Sequence, residues 1–424
     1  MDGTAPASGA AGDRISPTPV VQRRRRHRAV SRAAHHVQRK SRASVSALAC
    51  LTTLTVGLLA PTASAADKRS RQWYLDAMQA ERMWQTSTGE GVSVAVIDSG
   101  VDNSVPELRG QLSPGKDFSG QGRGANHDDE GHGTSMAMII AGKHSGSGTW
   151  GLAPGAKILP IRSIDGDWPS HMAKSIRYAA DQGAKVINIS QAGTATAATA
   201  ATLKPAIDYA NKKGSLIFAG TGNEGAKDNL PLYPASLPGV VGIGAVDRSL
   251  KATKFSTHGS QVALAAPGVG IPTRCTKKLL DCTEEGTSDA TAITSASAAL
   301  IWSAHPTWTN NQVLRVMMET AGKPEDGKVP SEYLGYGIVR PRKVLLDKEG
   351  DPGPADVNPL LAGHESTAPP KTPQSGADNS AAGAAPKPVD HPDDSPTWPL
   401  TAGLAATVAA LGAGGLVIAR RRKT

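Results

Sequence analysis

The stretch Val94-Ala95-Val96-Ile97-Asp98-Ser99-Gly100-Val101 is an apolar strand pattern that ends in a carboxylate and a glycine turn. Outward from it, short apolar runs recur at Val92 to Ile97, Lys157 to Ile161, Lys185 to Ile189, Leu216 to Ala219 and Val240 to Val246. Helical patterns lie between them at Ser135 to Ala141, His171 to Gln182 and Thr202 to Lys213, stopped by Gly142, Gly183 and Gly214. The alternation predicts βαβ units, hence an α/β fold with a mainly parallel sheet and helices on both faces. Functional groups of such sheets collect beyond the carboxyl ends of the strands, which singles out Asp98 and Asn223.

Three further segments carry chemistry. Gly131-His132-Gly133-Thr134 places a histidine at the mouth of a small-residue helix, and Phe218-Ala219-Gly220-Thr221-Gly222-Asn223-Glu224-Gly225 is a second strand running into a turn. Gly286-Thr287-Ser288-Asp289-Ala290 leads into an Ala/Ser-rich helix that ends near Pro306. A serine nucleophile needs a base, the base needs a group that holds its tautomer, and the developing oxyanion needs preorganised donors. The four segments supply one of each, with the Ser288 amide at a helix N-terminus and the Asn223 side chain as the two donors. His127-Asp128-Asp129-Glu130 reads as a solvated loop before the histidine helix and not as a metal site; no metal or other cofactor is expected. Trp150, Trp302 and Trp308 read as packing residues.

The order Asp, His, Asn, Ser, in Asp98-Ser99-Gly100, His132-Gly133-Thr134, Gly222-Asn223 and Gly286-Thr287-Ser288, resembles the subtilisin-like serine proteases, the subtilases of peptidase family S8. The resemblance spans about residues 90 to 322 and includes Gly151-Leu152-Ala153-Pro154-Gly155-Ala156 and Ala266-Pro267-Gly268. Within the family the chain is most similar to the mycosins, membrane-anchored proteases associated with type VII secretion, through Gln72-Trp73-Tyr74-Leu75-Asp76-Ala77-Met78, a Pro-rich tether and an apolar C-terminal run. The resemblance implies a subtilisin-like three-layer fold and peptide hydrolysis through an acyl-enzyme. Asp98 would orient the base, His132 would act as general base and acid, Ser288 as nucleophile and Asn223 as oxyanion donor. Ser190-Gln191-Ala192-Gly193 stands where the family has Ser-Leu-Gly-Gly, so Ser190, Ala192 and Gly193, with Gly220, would contact an extended peptide substrate.

The chain also departs from the family pattern. Asp289 and Ala292 replace a large apolar residue and a proline after the nucleophile, and Ala192 replaces a glycine. A carboxylate at 289 opposes a nearby oxyanion if it points inward, or favours the helix N-terminus if it does not. The resemblance thus leaves a secretion-associated endopeptidase or a structural component of the secretion complex with weak or no proteolysis; a third class, a peptide-binding module using the Ser190 edge, would need an unreactive Ser288.

The flanks read as targeting segments. Of 424 residues, 39% are hydrophobic and 20% charged, with 46 Gly and 30 Pro, and the formal net charge is +9. Residues 1 to 65 hold ten Lys/Arg against two Asp/Glu, and Arg420-Arg421-Arg422-Lys423 adds four positive charges, which leaves −3 for the rest. A nucleic-acid partner therefore has no electrostatic support. The basic stretch Arg23 to Arg42, the apolar run Val45 to Ala60 and Ala63-Ser64-Ala65 follow signal-peptide order, with cleavage near Ala65. Leu400 to Ala419 is uncharged over 20 residues, long enough to span a bilayer, with Trp398 at one interface and the basic cluster on the cytoplasmic side. The expected organisation is a signal peptide (1–65), a short extension (66–90), a peptidase domain (91–346), a Pro/Ala-rich linker (347–397), a membrane helix (398–419) and a cytoplasmic tail (420–424). The protein would be single-pass in the cell membrane with its domain outside the cytoplasm. Cys275 and Cys282, seven positions apart, suit a local disulfide in an exported protein.

Overall fold

Continuous apolar runs bury a strand on both faces, and the central sheet is built from such runs. The computed structural model describes residues 68–144, 148–164, 166–273 and 282–361. Helices α1 (Trp73–Ala77) and α2 (Ala80–Met83) precede β1 (Ser93–Asp98), β2 (Lys116–Asp117), α3 (His132–Ala141) and β3 (Lys157–Arg162). Then come α4 (Trp168–Asp181), β4 (Val186–Ile189), β5 (Gly193–Thr194), α5 (Ala197–Lys212), β6 (Leu216–Gly220), β7 (Leu232–Tyr233), β8 (Val241–Val246) and β9 (Leu264–Pro267). The last elements are β10 (Val269–Thr273), β11 (Cys282–Glu285), α6 (Thr287–Ala304), α7 (Asn310–Glu319) and α8 (Pro341–Leu345). Seven strands form one sheet in the order β2-β3-β1-β4-β6-β8-β9, every neighbouring pair parallel. β10 and β11 form a hairpin, and β5 pairs with β7.

Alternate residues of one strand feed two cores. In β1, Val94 and Val96 join Met136, Ile139 and Ile140 of α3 with Ile293 and Leu300 of α6; Ala95 and Ile97 join Met172 and Ile176 of α4 with Leu203 and Ile207 of α5. Each fully buried branched side chain contributes about 1.5–3 kcal/mol, so these two layers hold the strand ends rigidly. Side-chain caps set several helix starts: Asp167 accepts from the Ser170 amide, Thr196 from Thr199, and Thr309 with Gln312 makes a reciprocal box on α7. The Thr196 cap starts α5 at Ala197, earlier than the apolar pattern from Thr202, because its first turn is Ala and Thr without a large apolar side chain.

The segment before β1 is part of the fold. Tyr74, Leu75 and Met83 are fully buried, the buried Gln72 amide brackets Trp150 with bonds to its carbonyl (2.8 Å) and from its amide (2.9 Å), and Trp73 Nε1 donates to the Val269 carbonyl at 3.0 Å. At the other end, the expected start of the linker at 347 needs correction. Residues 351–357 are strapped along α7, where Thr309 and Asn311 donate to the Ala355 carbonyl, Gln312 to Gly353, and the Arg315 guanidinium to Pro352 and Val357. The composition of this stretch offers no core, but its backbone carbonyls are bound by another element's side chains. Among the described residues no helix is long and apolar enough to cross a membrane. The expected signal segment (1–65) and membrane span (398–419) lie outside the described residues.

Candidate active site

The carboxyl ends of β1, β4 and β6, three neighbours in the sheet, deliver the site. Asp98, 1% exposed, closes β1; its Oδ1 accepts from His132 Nδ1 at 2.8 Å and from the Ser99 amide at 2.7 Å. His132 opens α3, with its side chain a third exposed. The turn after Asp98 requires glycine: Gly100 has φ +102°, and a Cβ there would overlap the His127 carbonyl, just as one on Gly133 would overlap Gly100.

Asp128 holds this corner together. Its carboxylate, 1% exposed, accepts from the Ser99 hydroxyl (2.9 Å), the Gly131 amide (2.8 Å) and the Thr134 amide (2.9 Å), while Ser99 Oγ accepts from the Gly133 amide at 2.9 Å. The solvated-loop reading of His127 to Glu130 is therefore wrong at Asp128, which caps the histidine helix from within. Arg162, at the end of β3 and equally buried, donates to the Ser99 and His127 carbonyls and to Gln121 Oε1. Neither residue carried a signal of its own; an acid four positions before the histidine and a base at a strand end are the only traces.

Ser288 sits in the first turn of α6. Its hydroxyl donates to the Ser190 carbonyl at 3.4 Å, and the Ser190 hydroxyl donates back to the Ser288 carbonyl at 3.3 Å. Asn188 Nδ2 donates to Ser190 Oγ and Asn188 Oδ1 accepts from Ser295 Oγ, so a buried polar chain joins β4 to α6. Asn223 Oδ1 accepts from the Thr287 amide (3.0 Å) and hydroxyl (3.2 Å), which fixes the side chain and leaves its Nδ2 donors without a partner among the described residues. Gly220 is packed against Thr287, where any Cβ would lie 2.9 Å from Thr287 Oγ1. Ala192 is exposed; Gly193 is paired with Tyr233 through β7 and faces the Trp168 ring. Cys282 begins β11, whereas Cys275 lies outside the described residues. A cavity of about 610 Å³ between α1 and the Lys323–Arg342 region touches none of these residues.

The subtilase family model matches residues 89–337. The chain belongs to this family. Among curated relatives, the subtilase is 37% identical over 241 residues to thermitase of Thermoactinomyces vulgaris (55% of this chain, 82% of the relative), and 36% identical over 260 residues to subtilisin E of Bacillus subtilis (60% and 66%). Among solved structures it is similar to MycP1 from Mycobacterium smegmatis (TM-score 0.58, 29% identity, 67% of this chain and 86% of that one). It is also similar to the MycP3 protease from the type VII (ESX-3) secretion system (TM-score 0.56, 29% identity, 64% and 87%). It is thus a subtilisin-like serine endopeptidase, similar in structure to the mycosins.

The electrostatics of this subtilase centre on carboxyl groups around one imidazole. Burial pulls His132 down, but the Asp98 carboxylate, reinforced by Glu284 and Asp289, more than offsets it and pushes the pKa up to about 10. Burial raises Glu284, and the Asp98 charge adds to that while His132 works against it. Asp289 is 2% exposed, and its Oδ1 has no hydrogen-bond partner. Burial, then Glu284, pushes its carboxyl well above the ordinary range. Of the two readings left open for Asp289, the side chain takes the inward one. The upward shift works against a negative charge at this inward position.

Proposed function

We propose that the protein is a membrane-anchored, extracytoplasmic serine endopeptidase that works with a type VII secretion system, with Ser288 as nucleophile, His132 as general base and acid, and Asp98 as the orienting carboxylate. The observation that carries the catalytic part is the 2.8 Å Asp98–His132 contact, together with the Ser288 amide and Asn223 Nδ2, which have no hydrogen-bond partner among the described residues. In the reaction the Ser288 hydroxyl leaves the Ser190 carbonyl, gives its proton to His132 Nε2 and adds to the substrate carbonyl. The oxyanion settles on the Ser288 amide and Asn223 Nδ2. His132 then protonates the leaving amine, and water repeats the cycle on the acyl-enzyme. Substrate main chain would lie along Ser190 to Gly193, near Gly220.

The anchoring part rests on the apolar run Leu400 to Ala419 with its basic flank, and the secretion part on the likeness to structures described as MycP1 and MycP3 of type VII systems. A disulfide between Cys275 and Cys282 belongs to the same exported setting. A scaffolding role is the second reading, favoured by the Ser288 hydroxyl bonding Ser190 and not His132. Covalent labelling of the purified protein by a fluorophosphonate probe, read by intact mass, separates the two. Labelling that disappears in Ser288→Ala is the expected outcome; an unlabelled, folded protein would favour the scaffold.

A further inference from the structure

We infer that the cavity beside α1 is a docking site for an acidic peptide segment of a partner protein, held by a large apolar side chain that the segment carries. The cavity shares no residue with the candidate active site, so the inference stands apart from the protease reading. At about 610 Å³ it is large enough to seat several side chains. The stretch of α1 and the residue after it give Trp73 and Met78 to its lining, the turn after β8 gives Leu250, and the segment before α8 gives Tyr333 and Leu334.

Leu250 is out of place by its local chemistry. It is the last residue of a three-residue loop that returns the chain from β8: its amide donates to the Asp247 carbonyl at 3.0 Å, the Asp247 amide donates to the Lys251 carbonyl at 2.9 Å, and Val246 bridges Ala252. Such a loop puts its last residue in the left-handed region, where glycine or asparagine is the ordinary choice. Leu250 takes that conformation, at φ +60°, and is 50% exposed, so packing recovers little of the strain. Tyr333 is also 50% exposed, yet its ring is stacked on His258 with centroids 4.5 Å apart and is thus held in one place. One exposed apolar side chain needs no explanation. Two in the lining of one cavity, one of them kept at a conformational cost, mark a contact surface.

The charge of the lining selects the partner. Lys251, Lys323, Arg340 and Arg342 face Glu325 and Asp326, in a chain that is net negative between its two basic ends. Arg342 meets Asp347 at 3.5 Å. Lys323 Nζ donates to the Met318 and Tyr336 carbonyls, and the Arg340 guanidinium to those of Thr320 and Ala321. Carbonyls position these cations without neutralising them, and Glu319, the acid that acts on Lys323, accepts from the Asp351 amide. Carboxylates of an incoming segment would meet cations already fixed in place, whereas a basic segment would be repelled.

The test uses the purified full-length Ser288→Ala protein, so that no peptide is cut, on an array of short synthetic peptides of three kinds: Asp and Glu with Leu or Phe, Asp and Glu with Ser, and Lys and Arg with Leu or Phe. The first kind should retain the protein at least about tenfold better than the other two, less so as salt rises. Leu250→Gly should cut that retention about tenfold while leaving the midpoint of thermal unfolding within about 2 °C, because glycine adopts the left-handed turn freely. Lys251→Glu, an exposed substitution, should cut it through charge alone. Equal retention of the three kinds, no retention, or acidic–apolar binding that survives both variants would overturn the inference. So would a concentration-dependent dimer in sedimentation velocity that Leu250→Gly abolishes, since the occupant would then be a second copy of this chain.

Discussion

The two helices whose mouths form the site are finished in opposite ways. At α3 the free backbone donors are taken up: Asp128 accepts from Gly131 and Thr134, and Ser99 accepts from Gly133. At α6 only the first amide is taken up, by the Asn223 side chain on Thr287, and the Ser288 amide has no partner among the described residues. A helix start leaves several amides without intrahelical acceptors, and each is either satisfied or available. The histidine helix spends them on rigidity, so that the imidazole meets Asp98 in one orientation. The serine helix keeps one in reserve, where the proposed reaction places a transient negative charge. The same contrast holds for the acids: Asp128 is saturated with donors, whereas Asp289, equally buried, has an oxygen with none.

The largest effect that would test this contrast lies at the serine helix. Asn223→Ala should lower kcat by about a hundred- to a thousandfold with little change in KM, the size associated with loss of one oxyanion donor. Steady-state kinetics on a peptide substrate checks it; a loss confined to KM would mean that Asn223 only binds ground-state substrate. At the histidine helix the expected damage is to the fold. Asp128→Ala leaves several buried donors unmet and should cost about 3 kcal/mol of stability, with Asp128→Asn milder, measured by urea unfolding. Asp289→Leu should do the reverse, raising stability by about 1 kcal/mol, since it removes a buried carboxyl that lacks a partner. If both substitutions destabilise equally, the two helix mouths are not different in kind.

The pH dependence sharpens the same comparison. General-base action needs the neutral imidazole, so kcat/KM should climb with pH toward about 10, where His132 loses its proton. Glu284→Gln should move that limb to lower pH by removing one of the charges that hold the proton. For stability, His132 is raised in the folded state, so its contribution is complete below about 6.5 and is lost as pH rises through about 10. Asp289 and Glu284 are raised too, so the native state holds protons that the unfolded chain has released above the ordinary carboxyl range. All three lower stability as pH rises, the two carboxyls from the ordinary carboxyl range upward, and Asp289→Asn should flatten that slope in a series of urea titrations.

The legible parts of the fold and site were those where residue type alone carries the signal. Val94 to Ile97 could hardly be anything but a buried strand, and the other four apolar runs fell in β3, β4, β6 and β8 for the same reason. β9 was missed because Leu264-Ala265-Ala266-Pro267 has little bulk and ends in proline, and β2 is too short for any pattern. Asp98, His132, Asn223 and Ser288 stand out in the sequence because each lies near glycines at an element's end. Asp128 and Arg162 were not, because a charged residue in a polar loop reads as solvated until the fold shows which backbone groups surround it. The inward placement of Asp289 also depends on burial by other elements, which its own segment does not reveal.

The strap of residues 351–357 along α7 has a mechanical meaning. α7 meets the opposite end of the sheet from the site: Asn310 reaches the carbonyls of Asn211 and Ser215, just before β6 begins. A pull on the chain beyond Leu361 would meet the bonds from Thr309, Asn311, Gln312 and Arg315 before it reached the elements of the candidate site. Tension would be absorbed at the base of the domain, and the geometry around Ser288 would stay at rest.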